Sequence, residues 1–82
     1  NCVMSNPEHP AYGDNHPRFG CEDGENDVPE CVEFLSELLE MGFLDPVKRP
    51  ILSFEVSPLD GESPEIVIAN AKRVLDEAWA QV

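Results

Sequence analysis

Ile51-Leu52-Ser53-Phe54-Glu55-Val56 follows Pro50 and stops just short of Pro58. A short apolar run bounded in this way predicts a buried strand over 50–57. Side chains alternate across a strand with period two, so Leu52, Phe54 and Val56 share one face and Ile51, Ser53 and Glu55 share the other. One face is wholly apolar, and the other ends in a carboxylate.

Upstream of this run, Asp27 is a plausible helix cap, Pro29 and Glu30 suit a first turn, and Cys31, Phe34, Leu35, Leu38 and Leu39 recur at helical spacing. This predicts a helix over 28–43, which Gly42 brings to its end. Downstream, Ser63-Pro64-Glu65 opens a second helix over 64–81 with the stripe Val67, Ala71, Val74, Leu75, Ala78, Trp79 and Val82. Over 1–27 the expectation is a strand end at Cys2-Val3-Met4 followed by a long loop, broken at Pro7, Pro10, Gly13, Pro17, Gly20 and Gly24. Loops of that length are usually functional or disordered.

Strand end, loop, helix, strand and helix in that order imply an α/β chain with parallel pairing. Parallel sheets need helices on both faces, and two strands are too few to complete one. The expectation is therefore a piece of a longer polypeptide, in keeping with the lack of a methionine at position 1.

A chain of 82 residues, 41% hydrophobic, makes at most one small domain, and at this size only about 60% of the unfolded surface is buried on folding. Cys2, Cys21 and Cys31 contain no C-x-x-C pair and leave one over, which suits reduced thiols and a cytoplasmic setting. No apolar run approaches the ~20 residues of a membrane span. Seventeen acidic residues against five basic ones give a formal charge of −12. That balance repels nucleic-acid phosphates and anionic membranes, so neither is expected as a partner.

The chemistry concentrates in two places. If the strand over 50–57 lies in a βα barrel, Glu55 points inward at the C-terminal mouth, where such folds keep their sites. A carboxylate buried there calls for a cation, and a divalent metal satisfies it. In Gly13-Asp14-Asn15-His16-Pro17-Arg18-Phe19-Gly20, Asp14 and His16 stand two apart, which on extended backbone points them the same way, toward a shared cation. The bland alternative is an Asx turn at Asp14 beside a surface histidine. The planar fork of Arg18 suits an anionic or polyhydroxylated substrate, or else one of the nearby acids. Ser53 has no histidine close in sequence to activate it, so a covalent serine mechanism is not supported.

The Gly13–Gly20 segment, Gly24-Glu25-Asn26-Asp27-Val28, Ile51–Val56 and Ile68-Ala69-Asn70-Ala71-Lys72-Arg73 together resemble the sugar phosphate isomerase/epimerase family of xylose-isomerase-like TIM barrels. The resemblance implies the C-terminal quarter of a (β/α)8 barrel: the end of strand 7, helix 7, strand 8 and helix 8. It implies a divalent metal (Mn, Mg, Zn or Co), a sugar or sugar-phosphate substrate, and proton transfer beside a carbonyl. Glu55 matches the eighth-strand glutamate, both metal ligand and proton carrier. Asp14 and His16 resemble the Asp-x-His of the endonuclease IV branch, where both bind zinc. The family's ligands on earlier strands lie outside this sequence, so the chain alone is expected to be inactive. Homo-oligomeric assembly of the parent stays open, as do two alternatives: a fragment of an endonuclease IV-like enzyme, and a small acidic interaction module without enzymatic activity.

Overall fold

The computed structural model describes residues 3–82 of the chain. Its two regular elements are helices, α1 over Val28–Glu40 and α2 over Pro64–Trp79, which pack against each other. Expected residues Asn1 and Cys2 of the N-terminal strand end lie outside the described residues.

Helix α1 begins where expected because its first amides are satisfied reciprocally. The Asp27 carboxylate accepts from the Val28 N–H at 2.8 Å, and Glu30 Oε2 accepts from the Asp27 N–H at 2.8 Å, completing a capping box. At the other end the Phe43 N–H donates to Leu38 O and the Gly42 N–H to Leu39 O. This Schellman closure needs a left-handed residue, and Gly42 adopts φ +73°. Residues 41–44 are therefore turn, and the helix expected over 28–43 is shorter by three residues. Helix α2 opens at Pro64 behind Ser63. The Ser63 hydroxyl donates to Glu65, and with the Glu65 backbone it holds that carboxyl below its ordinary value.

The core is built from one face of each helix and one fold of the N-terminal loop. Leu35 is the buried residue of α1, and Val67, Ala71, Val74 and Ala78 form the buried stripe of α2. Met4, Pro17, Phe19 and Cys21 complete the buried set from the loop. Trp79 and Val82, expected in the stripe, are exposed at its end.

The strand expected over 50–57 does not form, and with it the expected α/β barrel quarter is corrected to a two-helix chain with almost no strand. A strand exists through its ladder, and among the described residues no backbone-to-backbone hydrogen bond joins 51–56 to another segment. The neighbouring extended step at Met4 makes isolated antiparallel bridges to Gly13 and Gly24 within its own loop. The segment expected to be buried is instead exposed over 51–55: Leu52 and Phe54 line a cavity shared with Phe34 and Leu75 of the helices, and Phe54 meets Phe19 of the loop edge to face at 5.7 Å.

The long loop is ordered by its own polar side chains. Asn6 accepts from the Glu8 N–H and donates to Asp23, His9 Nδ1 accepts from the Ala11 N–H, and Asn15 donates to the carbonyls of Ala11 and Tyr12. Gly20 joins this loop to α1. It sits at φ +74°, and a Cβ added there would lie 3.0 Å from Asp27 Oδ1, the helix cap. Gly20→Ala is expected to lower unfolding stability by about 2–3 kcal/mol, combining left-handed strain with a displaced cap. Gly42→Ala, with open space around its Cβ, carries the strain alone and is expected to cost about 1–2 kcal/mol. Urea midpoints of the two variants check the order, and equal midpoints would remove the cap from the argument.

Candidate functional site

The structure brings together three residues named from the sequence: Asp14, His16 and Glu55. His16 Nε2 lies 2.5 Å from Asp14 Oδ1, and His16 Nδ1 lies 4.0 Å from Glu55 Oε2. An imidazole thus stands between two carboxylates from distant parts of the chain. The backbone enforces the meeting, because the Ser57 N–H donates to His16 O at 2.7 Å and so docks the Glu55 segment onto the loop. His16 itself adopts φ +50°, a left-handed conformation that costs a residue with a Cβ about 1–2 kcal/mol.

The site is open. The Asp14 and Glu55 side chains are 79% and 75% exposed, while the ring of His16 is 25% exposed. The inward-pointing, buried Glu55 expected from strand alternation is corrected: without a ladder, nothing turns that face toward a barrel interior.

The two carboxylates address different ring nitrogens. A neutral imidazole offers one lone pair, and a cation bound there is shared only with oxygens on the same side. Among the described residues no group of three or more His, Cys, Asp or Glu side chains is placed to hold a metal ion. The arrangement does not fit the three-donor cation site expected of Asp14, His16 and Glu55. It does fit proton traffic. With the proton on Nε2 the ring donates to Asp14, which fixes its tautomer and orientation, and Nδ1 faces Glu55. A gap of 4.0 Å is too long for a direct hydrogen bond, but a hydroxyl or water fits between, with legs of about 2.8 Å.

Arg18, expected to contact substrate, donates to Glu62, both side chains being partly buried. His9 is engaged with the Ala11 amide. A depression of about 510 Å³ is lined by residues 9–11 with Asn15 on one side and by residues 57–60 on the other, polar and apolar groups in equal part, and Asn15 is the chain neighbour of both Asp14 and His16. Sequence reasoning missed this wall, since its members come from two distant segments and carry no motif. A second cavity, of about 360 Å³, is lined mainly by apolar groups including Phe19, Phe34, Leu52, Phe54 and Leu75. Cys31 borders it, and burial pushes its thiol above the ordinary value.

No helix among the described residues is long and apolar enough to cross a membrane. No protein family, curated protein or solved structure matches this chain.

Proposed function

We propose that this chain supplies part of the proton-transfer site of an isomerase or epimerase acting on a sugar or sugar phosphate. The observation that carries the reading is the imidazole of His16 held between Asp14 and Glu55. A depression of about 510 Å³ that reaches Asn15 and Ser57, with polar and apolar groups sharing its lining, has room for a polyhydroxylated molecule. Large apolar side chains left exposed, among them Phe34, Met41, Phe43 and Ile51, favour a chain that works as part of a larger catalytic unit.

In this reading Glu55 takes the proton from the carbon beside the substrate carbonyl, and the C–H electron pair becomes the double bond of an enediol(ate). With its proton on Nε2 given to Asp14, His16 accepts at Nδ1 from the hydroxyl beside the reacting carbon and orients it, and Asp14 holds the ring in place. Returning the proton from Glu55 to the neighbouring carbon on the same face, as the hydroxyl proton passes through His16 Nδ1 to the former carbonyl oxygen, isomerises the sugar. Epimerisation needs a second acid on the opposite face, which the rest of the catalytic unit would supply. No step is routed through a metal, because the three side chains do not converge on one point.

The exposed apolar surface also suits a non-enzymatic module that docks on a partner, and one experiment separates the two. The native protein containing this sequence is incubated in D2O with panels of aldoses, ketoses and their phosphates, and deuterium is sought at the carbon beside the carbonyl. Incorporation by the unsubstituted protein supports the reading. No incorporation into any sugar overturns it in favour of the docking module.

A further inference from the structure

The loop carrying His16 is fastened to the C-terminal half of the chain at three nearly successive residues. His16 O accepts from the Ser57 N–H at 2.7 Å, Arg18 pairs with Glu62, and Phe19 O accepts from Asn70 Nδ2 at 2.7 Å. Glu62 does two things at once. Its Oε1 accepts from the Leu59 N–H at 2.8 Å while its own N–H donates to Leu59 O at 2.9 Å, so the turn following the Glu55 segment is closed from both sides. Its Oε2 holds the Arg18 guanidinium. One carboxylate therefore grips the two segments that bear the catalytic pair, two residues beyond His16 on one side and seven beyond Glu55 on the other.

We propose that Glu62 is a positioning residue: through Arg18 and the Leu59 turn it sets the distance between the His16 ring and the Glu55 carboxylate. The functional part of this inference rests on the proton-transfer reading; the clamp itself does not. Arg18 is drawn away from substrate contact and acts through Glu62. Both side chains are partly buried, so the pair is shielded more than a surface ion pair of little net effect. Asn70, from the exposed-to-buried boundary of α2, ties the same loop to the helix core and keeps the clamp in register with the fold.

The test uses two readouts on Glu62→Gln, Arg18→Met and the double variant. Ring resonances of His16, assigned with a His9→Gln chain, are followed by NMR at fixed pH in the full chain. Each single variant is expected to shift the His16 ring signals, the double variant to shift them no further, and the amide signals of Leu35 and Val74 to stay in place. Glu62→Asp and Arg18→Lys, which keep the charges, are expected to restore most of the His16 position and guard against a variant that fails to fold. In the native protein kcat is expected to fall about tenfold to a hundredfold with KM little changed, the signature of misplaced groups. Unmoved His16 signals in folded variants overturn the clamp. Shifted signals with kcat unchanged overturn its role in positioning for catalysis. A native protein without turnover, in which the ring shifts still appear, would count against the proton-transfer reading and leave the clamp standing.

Discussion

Leu35→Ala is expected to cost about 2–5 kcal/mol of unfolding stability and to abolish most of the cooperative urea transition of the chain. Leu35 is 1% exposed and is the buried contribution of α1 to the interface with α2. Truncating it removes apolar atoms from contact and leaves a void, and the two effects add. The surroundings make collapse around the gap difficult, since Leu35 already borders the 360 Å³ apolar cavity. Against a total of roughly 4–12 kcal/mol for a domain of this length, such a loss decides whether the chain folds. Ile51→Ala is the matched control. Ile51 is 90% exposed, so its truncation is expected to move stability by no more than about 0.5 kcal/mol. Circular dichroism during urea titration measures both, and a Leu35→Ala loss below about 1 kcal/mol would mean that α1 and α2 do not depend on this contact.

The second large effect concerns rate. Glu55→Gln and His16→Gln in the native protein are each expected to lower kcat by about 10²–10⁴-fold, the usual contribution of a positioned acid or base, or about 3–5 kcal/mol in barrier height. Glutamine keeps the shape of Glu55 and loses its ability to take a proton. Because the Glu55 side chain is 75% exposed and approaches His16 no closer than 4.0 Å, the same substitution is expected to leave stability within about 0.5 kcal/mol. A rate loss without a stability loss therefore separates chemistry from folding. The double variant is expected to be hardly slower than either single one, since the two groups act as a unit. Asp14→Asn, which still accepts from the ring, is expected to cost less than either. Turnover unchanged in Glu55→Gln would remove Glu55 from the mechanism.

The parts of the chain that were legible are those whose causes are local. Asp27 and Glu30 make the capping box they spell, Gly42 ends α1, and Pro64 opens α2, because caps and turns are satisfied within a few residues. The buried stripe Val67, Ala71, Val74 and Ala78 also follows from helical period alone. The order of the loop was not legible: a stretch read only as long and irregular is held by Asn6, His9 and Asn15, each of which bonds a nearby backbone group. Met4 shows the limit. Nothing in Cys2-Val3-Met4 marks Met4 as the fully buried centre about which the loop folds back to Gly13 and Gly24.

Asp14, His16 and Glu55 were named from residue type and order, and they do meet, yet the sequence could not say how. Their separation is set by Ser57 on His16 O and by Glu62 on Arg18, contacts between distant segments that have no periodic signature. The apolar alternation of Ile51–Val56 marked neither a strand nor a buried segment, because period two describes an extended backbone and a strand also needs neighbours to share its hydrogen bonds and cover its faces. The sequence by itself thus determined the two helices, where they begin and the acidic charge. Only the tertiary structure decided that the 51–56 segment has no ladder, that Glu55 stays in solvent, and that Arg18 is held by Glu62, since each depends on which distant group comes within reach.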